Sequence, residues 1–478
     1  MRPPKPILKP VFVAGWVCVA LFAIWQIQLG AGDSSTALSA GILLLATLVF
    51  SRYVLGLSFT TSPMLYLALL GLFHLGLVVP WALGIYDVVR ITWFMPHGLS
   101  RAIALIIYSI VAYQIGVIAA LGRRGYQRDS PLVDGLSLEN SEVFAAGCLL
   151  FLTGAIMFTV GLIALDPLGY YRLTYTETFR LRAEFDPRFF GSGMTIAFIG
   201  LSLAVSGASK QRLRTIFLGG GVWLLALFFW GFRGPALISG LLVCAVSLKK
   251  GVRFPRWFAW VAVAFLLIAL PAVRLARDEP ADERFFHMSS RDFNILDGPA
   301  EMGASIRPLV ETADYIGPWN YRYGRTYLMA IKGVVPNLAL RWEAPATEST
   351  EDLPPGHWIT LIADPWSYKN NGGIGFSAIA EPYMNFGTEG VVAYFFLVAI
   401  LLVWLEKVSL ESSYALASWS LILGPLLWTT RNDFFNFFRP VVWGLLCLGA
   451  VRAFSEGFAF IPRTGKPNRL ELKTKTVK

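Results

Sequence analysis

The sequence predicts an all-α polytopic membrane protein of about twelve transmembrane helices with one large extracytoplasmic loop, and three observations carry that prediction. The first is composition: of 478 residues, 55% are hydrophobic and only 15% charged, well outside the range of a soluble globular domain. The second is the length of the apolar runs, since a helix crosses the hydrocarbon with roughly 17 to 25 mainly apolar residues. The third is the alternation of basic segments between those runs, as expected when Lys and Arg stay on the cytoplasmic side.

Taken in order, the runs lie near 9 to 28, 37 to 57, 63 to 84, 101 to 121, 142 to 165, 189 to 207, 213 to 231, 234 to 248, 256 to 275, 388 to 405, 413 to 430 and 433 to 454. The basic start MRPPKPILKP leads into a run as long as a true span, with no small-residue cleavage site. The reading is a retained first helix, not a signal peptide. With the N-terminus inside, GRRGYQR (122 to 128), SKQRLR (209 to 214), KKGVRFPR (249 to 256) and the tail from Pro462 all fall inside. Both termini are then cytoplasmic. The chain divides into nine spans over 1–275, an outer loop over 276–387, three spans over 388–455 and a basic tail over 456–478.

The net charge of +10 is scattered among spans and forms no patch on a soluble domain, which points to membrane orientation and anionic lipid, and away from nucleic acid. Cys18, Cys148, Cys244 and Cys447 lie far apart in apolar runs, which argues against a Cys-x-x-Cys metal site or a disulfide framework.

The stretch from Gly372 to Gly390, GGIGFSAIAEPYMNFGTEG, places Glu381 in an apolar neighbourhood just ahead of a span. A carboxylate so near hydrocarbon is costly unless something uses or pairs it, so Glu381 is a candidate functional group. It is preferred to His357 as the general base, because burial would raise its pKa towards working pH; the alternative is the partner of a loop arginine. His357, in PPGHWITL, has the titration range of a general base; its alternative is a structural role.

Arginine outnumbers lysine on the outer side, where only Lys332 and Lys369 fall among the lysines. A planar guanidinium offers a fork of donors and keeps its charge in a low dielectric, which suits phosphate oxygens. Arg233, in the Gly-flanked break FFWGFRGPALISG, and Arg431, in TTRNDFF, are the foremost candidates for a pyrophosphate, with Arg182, Arg277 and Arg325 beside them. The alternative is that such arginines pair with carboxylates of the loop or reach headgroups. Asp433 neutralises Arg431 or orders the turn. The loop's aromatic residues, Tyr323 among them, have faces that stack on sugar rings or form an interfacial belt.

Gly-x-x-x-x-Gly-Lys, His-Glu-x-x-His, Asp-x-Asp and Gly-x-Ser-x-Gly are all missing, so an ATP-driven pump, a zinc peptidase and a Ser hydrolase find no support in the sequence. A secondary transporter or lipid flippase predicts charges near the bilayer midplane and repeated halves, and the sequence has neither. An arginine-rich outer face, a near-membrane carboxylate and aromatics fit group transfer from a lipid pyrophosphate. Such a leaving group needs mainly to be held and have its charge stabilised.

YGRTYLMAIKGVVPN (323 to 337), GFSAIAEPYMNFGTEG (375 to 390) and TRNDFFNFFRP (430 to 440), with GFRGPALISG upstream, resemble the O-antigen polymerase family, the Wzy-type oligosaccharide repeat-unit polymerases. Where relatives carry Arg-Gly-Asp near the last span, this chain has Arg431, Asn432 and Asp433. The resemblance implies the GT-C membrane glycosyltransferase architecture, metal-independent and without cofactor. It also implies polymerisation of undecaprenyl-pyrophosphate-linked oligosaccharides at the periplasmic face, with a flippase and a chain-length regulator as partners. Tyr323, Asn385 and Asp433 are then placed with sugar binding or loop ordering. An O-antigen ligase shares the donor and differs in moving the glycan to lipid A core.

Overall fold

The computed structural model describes residues 8–88, 92–94, 98–122, 139–164, 187–229, 232–255, 257, 258, 261, 264, 268, 294–335, 350, 353–370 and 372–459, and these contain helices and no strand. The expected span at 256 to 275 lies almost wholly outside them, as do Arg182 and Arg277. Every other expected span coincides with helix: α1 (Leu8–Gln28), α2 (Asp33–Tyr53), α3 (Ser62–Leu75) with the short α4 (Val78–Ala82), α5 (Leu99–Leu121), α6 (Ser141–Ala164), α7 (Pro187–Gly207), α8 (Lys210–Phe229) and α9 (Arg233–Lys249). Helices α10 (Asp297–Gly303), α11 (Arg307–Tyr315), α12 (Arg325–Lys332), α13 (Pro355–Ala363) and α14 (Pro365–Lys369) belong to the loop. They are followed by α15 (Ala380–Val408), α16 (Ser413–Thr429) and α17 (Phe434–Ala459). Among the described residues six helices are long and apolar enough to cross a membrane: α1, α2, α5, α6, α15 and α17.

α5 is the most buried of the six, and α15 lies along it. Without a hydrophobic drive between helices in lipid, such contacts depend on close packing, which small residues permit. The pair α6 and α7 shows this best. Gly147 and Gly154 on α6, and Gly193, Gly200 and Gly207 on α7, repeat at seven-residue intervals and so keep to one face of each helix. A Cβ added at Gly200 would meet the Phe151 nitrogen at 2.1 Å, and one at Gly147 the Ala204 nitrogen at 2.2 Å. The two backbones therefore touch directly. Gly200→Leu is expected to force them apart and lower the yield of folded protein severalfold in size-exclusion and thermal-unfolding measurements. Gly221→Ala, where nothing lies within 4 Å, leaves both unchanged.

The loop helices are continuous with the bundle. Leu309, Val310 and Ala313 of α11 are buried in the same apolar cluster as Ile103 of α5 and Val391 of α15. α10 abuts the end of α3, where Gly76 and Gly303 allow backbone-to-backbone approach. The loop thus forms a cap over one end of the helices.

A charged knot closes the opposite end. Glu406 of α15 pairs with Lys249 of α9 and accepts from the Ser62 N–H at 2.9 Å, while Trp419 Nε1 donates to Ser62 Oγ at 2.7 Å and Lys249 lies 4.6 Å from the Trp419 ring centroid. Four helices, α3, α9, α15 and α16, are joined there with every charge partnered, the condition under which a buried ion pair is tolerated. Lys249 and Lys250, read from sequence as part of a basic loop, are both buried.

Candidate functional site

The loop-bearing end is built from the first turns of α15 and α17, the last turn of α16 and the loop helices. The chain enters α15 through a glycine segment. Gly375 takes a left-handed φ of +79°, and a Cβ there would meet the Arg431 carbonyl at 2.9 Å. Phe376 N–H donates to that same carbonyl at 2.9 Å, fixing the segment to the turn between α16 and α17. Ser377 follows just before α15, its Oγ accepting from the Ile379 N–H at 3.1 Å. The same hydroxyl lies 2.7 Å from His74 Nε2, and His74 Nδ1 lies 3.0 Å from the Leu70 carbonyl. A carbonyl only accepts, so Nδ1 carries the proton and Nε2 accepts from Ser377.

One turn further, Glu381 is buried at 3% exposure. Its Oε1 accepts from the Thr326 hydroxyl at 2.8 Å and its Oε2 from the Phe434 N–H, the first of α17, at 2.6 Å. Asn385 completes the clamp. Its Nδ2 donates to Thr326 Oγ1 at 2.7 Å and to the Glu381 carbonyl at 2.9 Å, while its Oδ1 accepts from the Gly324 N–H at 2.9 Å. Backbone bonds from Arg322 to Met384 and from Tyr323 to Asn385, both 3.0 Å, lay the strap 321–324 along the first turns of α15. Tyr323 has a φ of +45°, an uncommon conformation for a non-glycine residue, and its side chain is 72% exposed. Arg325, the first residue of α12, is also exposed. Tyr327 meets the Phe434 ring edge-on at 5.2 Å, and burial, followed by the Glu381 carboxylate, holds its phenol far above the ordinary range.

Asp433 is equally buried and caps α17. Its Oδ1 accepts from the Asn436 N–H at 3.2 Å and from Asn436 Nδ2 at 2.7 Å, and its Oδ2 accepts from the Gly356 N–H at 3.1 Å. That last bond holds α13, and with it His357, against the start of α17. His357 is exposed, edge-on to Tyr368 at 6.4 Å. Gly375 runs between the two: positions for a Cβ lie 3.8 Å from its carbonyl at Gly356 and, on Gly375 itself, 3.7 Å from Arg431 Cγ and 4.0 Å from Nε. Gly356, the neighbour of His357, and Arg431 therefore both approach one glycine segment.

Arg233, a pyrophosphate candidate in the sequence, is paired with a carboxylate of the loop. It is buried, and its Nη1 lies 3.0 Å and 3.1 Å from the two carboxylate oxygens of Glu301 on α10. This is the alternative weighed from sequence, an arginine neutralised by a carboxylate of the loop. The neighbouring Gly234 faces the Trp428 ring, and the Trp428 carbonyl accepts from the Arg431 N–H at 3.2 Å. Arg233 and Arg431 thus stand at the same end, on either side of Trp428.

The structure brings Glu381, Asn385, Tyr323, Arg325, Asp433, His357 and Arg431 to one end of the bundle, with Arg233 behind them. Sequence reasoning missed Thr326, His74 and Ser377. A histidine in an otherwise apolar helix was the available signal for His74, because polar groups in spans usually have a stated partner.

A family model described as O-antigen polysaccharide polymerase Wzy matches residues 12–458, nearly the whole chain. No curated protein and no solved structure matches.

Proposed function

The chain belongs to the O-antigen polysaccharide polymerase Wzy family, and from that premise we propose how this repeat-unit polymerase works: it joins undecaprenyl-pyrophosphate-linked units at its loop-bearing end, facing the periplasm from the inner membrane. In the reaction the anomeric C–O bond to pyrophosphate breaks, a hydroxyl of the acceptor sugar forms the new glycosidic bond, and undecaprenyl pyrophosphate leaves with the electron pair. Two groups then suffice chemically, one to hold the diphosphate and one to take the hydroxyl proton.

Arg431 and Arg325 are assigned to the diphosphate, with Arg182 and Arg277 as further candidates. His357 takes the proton. The observation that supports this reading is that Arg431 and Gly356, the residue before His357, both approach Gly375, with Gly356 tied to the buried Asp433. Glu381 is assigned as a positioning residue, because both its oxygens already accept hydrogen bonds that join α12, α15 and α17. Asn385, Tyr323 and Asp433 order the strap and α13. Arg233, paired with Glu301, holds the cap to α9. A flippase would deliver the units and a chain-length regulator would act beside the polymerase.

The test is reconstitution. Purified protein in liposomes, supplied with single lipid-linked units, should produce a ladder of polymer and release undecaprenyl pyrophosphate, with or without EDTA. His357→Gln should lower the rate by roughly a hundredfold, as expected for a lost general base. Transfer to lipid A core with no ladder would replace this reading with a ligase, and transport without bond formation would end it.

A further inference from the structure

The loop-bearing end has a second hollow, to which the mechanism above gives no role. A cleft of about 250 Å³ opens between α5 and α15 and is lined by Arg101, Tyr108, Pro318, Tyr321, Tyr383 and Thr388 among others. It is small beside the roughly 300–1,000 Å³ typical of sites for drug-sized ligands. One or two sugar rings fit such a space; a whole lipid-linked unit does not.

Three tyrosines and Arg101 are among its lining residues, and a carboxylate stands nearby. The Tyr321 ring stands nearly perpendicular to Tyr383 at 6.2 Å and to Tyr323 at 6.4 Å. The Tyr383 hydroxyl is held by the Ile316 carbonyl at 3.2 Å, so that ring is fixed. Arg101 is exposed and donates from Nη1 to the Ala313 carbonyl at 2.8 Å, an uncharged partner. Glu389 stands on the other side of Tyr321: the position of a Cβ on Gly387 would lie 2.6 Å from the Tyr321 hydroxyl and 3.2 Å from Glu389 Oε2. At the rim beside Pro318, Trp319 is 99% exposed, a large apolar face turned wholly outward.

One cation and one anion flanking a set of phenols do not favour a diphosphate, which calls for an excess of positive charge. They offer donors and acceptors to hydroxyl groups, while the rings cover the apolar face of a pyranose. The cleft also borders the clamp, since Tyr321 begins the strap that leads into α12 and Thr326, and Tyr383 is two residues from Glu381.

We infer that this cleft is a saccharide subsite, taking a neutral sugar ring of the glycan while its pyrophosphate end lies at Arg431. The inference rests on the polymerase reading for the identity of the glycan, but the binding it describes needs no reaction.

The test is a titration of the full-length protein in nanodiscs, without donor lipid, using oligosaccharides of one and of three repeat units hydrolysed from the polysaccharide that the host cell makes. Wild type should bind. Tyr321→Ala and Tyr108→Ala should weaken binding at least tenfold, and so should Tyr321→Leu, which keeps bulk and loses the ring. Arg431→Ala should bind within about twofold of wild type. Preference for three units over one assigns the cleft to the growing chain, and equal affinity assigns it to the acceptor's terminal sugar. Wild-type affinity in the tyrosine variants, absence of binding, or displacement by phosphatidylglycerol and not by sugar would overturn the inference. Sugar binding by a protein that makes no polymer leaves the cleft standing and refutes the proposed reaction instead.

Discussion

Glu381→Ala is expected to cost the fold roughly 2–6 kcal/mol and to abolish the polymer ladder, since it leaves two buried donors without acceptors at about 1–3 kcal/mol each. Those donors are the Thr326 hydroxyl and the Phe434 N–H, which lie on different elements. Their loss would free α12 from α15 and uncap the start of α17. Glu381→Gln separates a positioning residue from the general base that the sequence suggested. As a positioning residue, Gln keeps one oxygen acceptor and turns an amide toward the other donor, so unfolding temperature and rate should fall together, with the pH profile of the remaining activity unchanged. A Gln variant that melts like wild type yet makes no polymer would transfer the base from His357 to Glu381. Thermal unfolding and polymerisation measured on the same nanodisc sample decide it.

Arg431→Ala should reduce polymerisation on the order of a thousandfold, with single units accumulating on lipid. Two charge-assisted hydrogen bonds to a diphosphate are worth roughly 3–6 kcal/mol together. Arg431→Lys should recover little of this, because an ammonium keeps the charge and loses the fork. The backbone of residue 431 holds Phe376 through its carbonyl, so either substitution leaves the glycine segment in place. Full recovery by Lys would mean that charge alone is sensed there, and wild-type rates in both variants would remove Arg431 from the site.

Six of the expected spans stand, among the described residues, as helices long and apolar enough to cross a membrane, and they were legible because lipid enforces such helices, as at Leu99–Leu121. Glu381 was legible for the same reason, as a carboxylate too close to hydrocarbon to be idle. Its partners were not. Thr326 is 55 residues away and the other donor, 53 residues away, is a backbone N–H, which no residue type announces. Arg233 was singled out as a pyrophosphate candidate, and its partner Glu301, 68 residues on, was not, because it resembles every other acid in the loop. Lys249 misled because basic residues beside a span are counted as solvent-facing, whereas here a carboxylate from α15 draws the ammonium inward. The glycines at 193, 200 and 207 carried a regular signal that composition alone conceals. The cleft was out of reach, since Arg101 and Tyr321 meet only once the loop folds back onto α5.

The break in α15 has a consequence for how deep a substrate must sit. Gly387, with φ +70° and ψ −156°, interrupts the helix, and from Thr388 to Val408 it continues for 21 residues. At roughly 1.5 Å per residue that length is about 31 Å, close to the roughly 30 Å of a bilayer's oily interior. Set across a bilayer, that length brings the turn that holds Glu381 to headgroup height, where, in the reaction proposed above, the phosphates of a polyprenyl carrier ride. In that reaction the carrier can remain dissolved in the leaflet throughout, and only its sugars need to reach the loop-bearing end.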